Sequence, residues 1–79
     1  MPRSTPPPAR VITRRRQIGV QIRAARIHAN LTQQDISERT GIDRATYGRI
    51  ELGHASALLD SLILIADAIG VPLSQLVRD

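Results

Sequence analysis

The sequence predicts an all-α domain of five helices behind a disordered N-terminal arm. Apolar residues recur at three- and four-residue steps, and no segment alternates as a strand does. Asn30, Gly41, Gly53 and Gly70, residues that stop helices, divide the chain into helix-sized pieces. Four of the five prolines fall within residues 1–12, three of them consecutive at 6–8.

Taken in order, residues 1–12 are expected to form a Pro- and Arg-rich arm, partly polyproline-like, and 13–79 the folded domain. Thr13 is placed to cap a first helix running to about His28, with Ile18, Ile22, Ala25 and Ala29 on its apolar face. Asn30 suits the left-handed residue at its end. Thr32 then caps a second helix, Asp35 takes the third position of its first turn, and Leu31 staples onto Ile36. A third helix repeats the device, with Ile42 before the cap Asp43 and stapled onto Tyr47, and with Gly41 turning the chain between the two. Gly53 ends it, and HASA at 54–57 is a loop. The fourth helix is expected from Leu58 to Ile69, facing Leu59, Leu62, Ala66 and Ile69 inward. Pro72 fits the first position of a short fifth helix containing Leu73, Leu76 and Val77.

The composition narrows the classes of function. A 79-residue domain buries only about 60% of its unfolded surface and has little room for a large active-site cavity. With no Cys, Trp or Phe and one Tyr, the core must be aliphatic, and disulfides and thiolate metal sites are excluded. His28 and His54 are too few for a metal centre, and Ser56 and Ser61 have no basic partner at nucleophile spacing. No catalysis, metal or cofactor is expected. No stretch reaches the roughly 18 apolar residues of a membrane span and MPRSTPPPAR lacks the core of a signal peptide, so a cytoplasmic protein is expected. The net charge of +4 is uneven: residues 1–30 hold seven Arg and no acid, whereas 31–79 hold four Arg against seven Asp and Glu. A polyanionic partner fits the basic end.

Two capped helices of about eight residues around a glycine turn match the helix-turn-helix pattern, whose second helix lies in the major groove. Ile36, Ile42, Tyr47 and Ile50 would lock the pair, and Ser37 is small enough for a close crossing. Here the sequence resembles the Cro and phage-repressor type of helix-turn-helix, the xenobiotic-response-element (XRE) family. The resemblance runs from about residue 18 to 77 and rests on IRAAR (22–26), LTQQDIS (31–37), TGI (40–42), RIE (49–51), Gly53 and IADAIGVPLSQL (65–76). It implies a lambda-repressor-like five-helix domain that binds double-stranded DNA as a homodimer and regulates transcription, as a repressor.

By the same resemblance, Gln33 grips a backbone phosphate, Arg44, Ala45 and Arg49 stand at base-reading positions, and Thr46 is near a base or phosphate. Helix geometry independently puts 44, 45, 48 and 49 on the outward face once Tyr47 and Ile50 turn inward. Gly48, costly in a helix by about 1 kcal/mol against alanine, would let this helix sit deep enough for both arginines to reach guanine O6 and N7. The resemblance also implies a structural ion pair between Arg26 and Glu51, which stand at the family's positions for one. Arg14, Arg15 and Arg16, expected in a first helical turn where the macrodipole disfavours cations, and His54 in the loop are further candidates for phosphate contact. The loop departs from the family in offering His54 alone as a basic group, and Leu58 stands where a small hydroxyl cap is common. Leu64, at a usually polar position, combines with Leu58, Leu73 and Val77 into a candidate dimer patch. The rival reading is an antitoxin-like or other protein-interaction module that uses the aliphatic surface of the fourth helix for a protein partner.

Overall fold

The computed structural model describes residues 5–79, so the first four positions of the expected arm, Arg3 among them, lie outside the described residues. Five helices follow: α1 (Ala9–His28), α2 (Gln33–Thr40), α3 (Arg44–Leu52), α4 (Leu59–Ile69) and α5 (Leu73–Val77). α1 starts four residues before Thr13, which caps nothing. The reason lies in Pro8, held at φ −54° and ψ 149°, whose carbonyl accepts the N–H groups of Val11 and Ile12 at 2.9 and 3.2 Å. A proline cannot donate within a helix but can stand just ahead of one, and Ala9–Ile12 contain no further proline to delay the start. Arg14, Arg15 and Arg16 therefore sit in the second turn, clear of the free N–H groups, and the macrodipole argument for them lapses.

The turn signals act as their chemistry requires. Thr32 and Asp35 form a reciprocal capping box, the Thr32 hydroxyl accepting from the Asp35 N–H at 3.0 Å and the Asp35 carboxylate from the Thr32 N–H at 2.8 Å. Asp43 caps α3 by accepting from the Thr46 N–H at 3.0 Å. Between α2 and α3, Gly41 takes φ +79°, a region that strains any residue with a Cβ. Thr40 and Ser37 satisfy the turn: Thr40 Oγ1 accepts from the Ile42 N–H at 3.1 Å, and Ser37 Oγ donates to the Ile42 carbonyl at 2.6 Å.

The core is aliphatic apart from one ring. Ile22 of α1, Ile36 of α2, Tyr47 of α3, Ile65 of α4 and Leu76 of α5 are fully buried, joined by Ala25, Ile50, Ala66 and Ile69. α1 packs on α3 and α5, while α2 packs on α3 and α4. Leu59 does not face inward as expected: it is exposed at the opening turn of α4, and Ile65 fills the core instead. The buried arc of α4 runs through Ile65, Ala66 and Ile69, with Leu62 half-buried beside it as expected, while Leu59 and Asp60 lie on the exposed side. Leu58 is the residue before α4, and Pro72 the residue before α5, each one position outside the helix it was expected to begin. Leu73 and Val77 are half-buried against the core.

One contact was not anticipated. α1 crosses α3 so closely at Gly19 that a Cβ there would lie 2.3 Å from the Glu51 carbonyl oxygen and 2.8 Å from that of Ile50. These are backbone atoms and cannot move aside. Gly19→Ala should therefore cost about 3 kcal/mol through overpacking, read as a fall in urea midpoint at constant slope; an unchanged midpoint would show that α1 shifts freely along α3.

Candidate nucleic-acid interface

The outward face of α3 depends on a buried carboxylate. Glu51, at the inner side of the last turn, has a side chain only 1% exposed. Arg26 of α1 meets it side-on, Nε to Oε2 at 2.6 Å and Nη2 to Oε1 at 3.1 Å, and gives its remaining nitrogen to the Leu31 carbonyl at 2.9 Å. The Tyr47 hydroxyl, one turn earlier, donates to Oε2, and Gln33 Nε2 donates to Oε1 at 3.1 Å. Burial alone would raise the Glu51 carboxyl pKa, but the bonds from Arg26, Tyr47 and Gln33 outweigh it and hold the group below the ordinary carboxylate range. Burial, and then the bond to Glu51, push the Tyr47 phenol well above its usual value. Arg26 is raised by its bond to Glu51, so the pair is ionised.

This cluster ties the start of α2 to the end of α3 and fixes the Gln33 amide over Gly48. Gln33 Oε1 and Nε2 lie 3.7 and 3.9 Å from where a Cβ on Gly48 would be. Around this point Gln33, Arg44, Ala45, Gly48 and Arg49 line one groove of about 380 Å³. Arg44, Ala45 and Arg49 are exposed. Gln33 opens α2, where its own N–H and that of Gln34 lack intrahelical acceptors, the Asp35 N–H being taken by the Thr32 hydroxyl. The candidate base-reading residues are thus brought together with the candidate phosphate residue Gln33.

The remaining candidates are distributed otherwise. Thr46 is exposed, but its hydroxyl donates to Asp43 Oδ1 at 2.6 Å and so offers an approaching group only its lone pairs; a phosphate needs a donor. His54 is exposed in the loop, its backbone N–H donating to the Arg49 carbonyl at 2.9 Å. Arg14 turns away from α3: it donates to the Val77 carbonyl and pairs with the Asp79 carboxylate at 3.0 Å. Arg15 donates from Nε to the Gly53 carbonyl at 2.8 Å, just beyond the end of α3. Only Arg16 of that run keeps a guanidinium exposed beside the end of α3, where it lines a second groove with Val20, Arg23, Ala24, Glu51 and Leu52. Arg23, not anticipated, borders both grooves. Its signal was the spacing 16, 20, 23 on one side of α1, which carries meaning only once α1 is known to cross the end of α3. Among the described residues no group of acidic, His or Cys side chains is placed to hold a metal ion, and no helix is long and apolar enough to cross a membrane.

Comparison with known proteins bears on this geometry. The helix-turn-helix family model matches residues 22–76. The transcriptional repressor RstR of the cryptic phage CTXphi, from Vibrio cholerae, is 32% identical over 59 residues, which cover 75% of this chain and 53% of the repressor. The chain thus spans about half the length of that curated relative. The restriction-modification controller protein C.AhdI from Aeromonas hydrophila superposes with a TM-score of 0.75, covering 77% of this chain and 92% of its own at 24% identity. That likeness establishes the five-helix fold.

The carboxylate cluster sets a pH dependence. Because the Glu51 pKa is lower in the folded chain than its ordinary 4.5, its contribution is complete above about pH 4.5 and is lost as pH falls through the folded value. Glu51→Gln should lower stability at pH 7 by about 3–5 kcal/mol, since Arg26 is left buried without its counter-charge, and should flatten the acid limb of a Tm-against-pH curve. Asp35, held low by its bonds to Thr32, and Asp43, by its bonds to Thr46, act in the same direction. An acid limb as steep in the variant as in the parent would assign the effect to these caps.

Proposed function

Since the chain belongs to the helix-turn-helix family, we propose that it is a sequence-specific DNA-binding regulator of transcription, a repressor, that acts as a homodimer in the cytoplasm. The observation that carries this reading is the single groove in which Gln33, Arg44, Ala45, Gly48 and Arg49 converge on the outer face of a helix made rigid from behind by Glu51. α3 enters the major groove, and Arg44 and Arg49 read guanine O6 and N7. The N-terminus of α2, with Gln33, sets the register on a phosphate. Arg23 and Arg16 add charge along the backbone on the α1 side, and His54 on the loop side. Arg14 and Arg15 serve the scaffold. The chain acts by binding, without chemistry of its own.

Dimerisation would use the exposed apolar residues of α4. Leu58 is 74% exposed, Leu59 64%, Leu64 44% and Ile63 42%, and the half-buried Leu73 and Val77 of α5 extend the candidate patch. Two copies related by a two-fold axis would present two α3 helices to half-sites about one turn, ~34 Å, apart. The RstR repressor offers a parallel for the repressor role.

Binding sites selected from random duplexes should be palindromic, and affinity should fall with salt with a log-log slope of several units. Arg44→Ala or Arg49→Ala should each cost about 1–3 kcal/mol on the selected site and relax one or two base positions. Equal loss on selected and random duplex would make that arginine a phosphate contact; absence of salt-dependent duplex binding would end the reading altogether. Gly48→Ala meets only ordinary contact inside the chain and should stabilise the fold by up to about 1 kcal/mol. Gly48→Leu should abolish selective binding while leaving the fold intact, and a Leu variant that binds as tightly as the parent would show that the duplex does not approach position 48.

A further inference from the structure

Two exposed faces of this chain carry opposite charges at the same spacing. On α1, Arg16, Val20, Arg23 and Ile27 follow at steps of four, three and four and so share one side of the helix. Arg16, Val20 and Arg23 line, with Leu52, the groove of about 580 Å³ beside the end of α3. Val20 is 65% and Leu52 60% exposed. On α4, Asp60, Ile63, Leu64 and Asp67 follow at steps of three, one and three and likewise share one side, all four exposed. Each face is an aliphatic centre between two like charges seven residues apart, about 10 Å along a helix. Among the described residues none of these four charges has a salt-bridge partner.

A duplex backbone accounts for the arginines but not for Val20 and Leu52, because phosphates offer nothing for an aliphatic side chain to pack on. A two-fold contact centred on Ile63 and Leu64 would bring Asp60 and Asp67 of two copies together, and like charges there oppose association. We propose that the α4 face of one copy docks into the α1 groove of the next, Ile63 and Leu64 packing between Val20 and Leu52 while Asp60 and Asp67 pair with Arg16 and Arg23. This rests on the self-association part of the reading above, and its test needs no duplex, although the same reading also gives Arg16 and Arg23 to the DNA backbone. The contact joins two different surfaces, so it continues from copy to copy instead of closing at two. It takes Ile63 and Leu64 out of the apolar patch assigned above to the two-fold dimer and leaves Leu58, Leu59, Leu73 and Val77 for that contact. Arg23 also borders the α3 groove, so a docked neighbour and a bound duplex draw on the same charge.

Charge exchange tests the pairing in either helix orientation. Arg16→Glu with Arg23→Glu makes one variant of the whole chain, and Asp60→Arg with Asp67→Arg the other. All four positions are exposed, and helical content by circular dichroism checks the fold of each variant. Sedimentation should show self-association of each variant weakened about tenfold or more by like-charge contacts, and an equal mixture restored to within about threefold of the parent by the exchanged pairs. Should either double variant misfold, Arg23→Glu mixed with Asp67→Arg and, separately, with Asp60→Arg repeats the test for the two orientations. A parent that stays monomeric removes both this contact and the proposed homodimer. A parent that associates beyond the monomer while the variants match it removes the α1–α4 contact and leaves the two-fold dimer standing. Variants that weaken association without mutual rescue show that these charges do not pair across a contact between copies and overturn the proposal.

Discussion

A carboxylate cannot be buried without partners, and the position of Glu51 obliges three helices to supply them. Arg26 comes from α1, Gln33 from the start of α2 and Tyr47 from α3 itself. To bring Arg26 within reach, α1 must lie almost on the backbone of α3, and Gly19 supplies the space for it. The same crossing seats Gly53 against the backbone of Arg16, where a Cβ would come within 2.7 Å of the Arg16 Cα. A buried ion pair is weak evidence for net stability, because desolvation consumes much of the attraction. Its effect here is geometric: a planar guanidinium gripping a carboxylate side-on permits one relation of α1 to α3, and the amide bond from Gln33 fixes where α2 begins relative to that pair.

The parts of the fold set by local chemistry were legible in the sequence. Thr32, Asp43, Asn30, Gly41, Gly53 and Gly70 mark helix ends through interactions within a few residues, and the structure has them where the pattern places them. The ion pair was legible through family resemblance, and the groove residues of α3 through helical phase. What depends on tertiary placement was not. The phase of α4 cannot be fixed from LLDSLILIADAI, because aliphatic residues occur on every side of it, and only the position of α2 and α5 selects Ile65 over Leu59. Gly19 looked unremarkable because its constraint comes from carbonyls more than thirty residues away in sequence.

The arginines teach the same lesson in electrostatic form. A run of three beside a proline-rich segment reads as a polyanion signal, yet two of them serve the ends of helices. Arg14 and Arg15 donate to the Val77 and Gly53 carbonyls, and Arg39 reaches the Ala68 carbonyl at 3.0 Å near the end of α4. α3, α4 and α5 each end in carbonyls without intrahelical donors, and a guanidinium brought from another helix satisfies them while opposing the negative end of the dipole. Net charge therefore overstates the field available to a ligand. Arg16, Arg23, Arg44 and Arg49 remain exposed around the end and the outward face of α3, and they, more than the total of +4, decide what that surface attracts.

Gly48 can now be separated from the other glycines. At Gly19 and Gly53 a Cβ would strike backbone, and at Gly41 and Gly70 the chain turns through positive φ, so the fold itself explains them. At Gly48 neither reason applies: the backbone is helical, and a Cβ would rest at ordinary contact distance from the end of the Gln33 side chain. The fold would gain helix propensity from alanine there. A bare position that the fold does not require, in the middle of a groove where three exposed arginines and an anchored amide converge, is accounted for by what approaches from outside. It lowers the floor of that groove to the backbone and leaves the Gln33 amide, held from behind by Glu51, as the nearest polar group. The close approach proposed for a duplex thus rests on the absence of any internal reason for the glycine as well as on the charges around it.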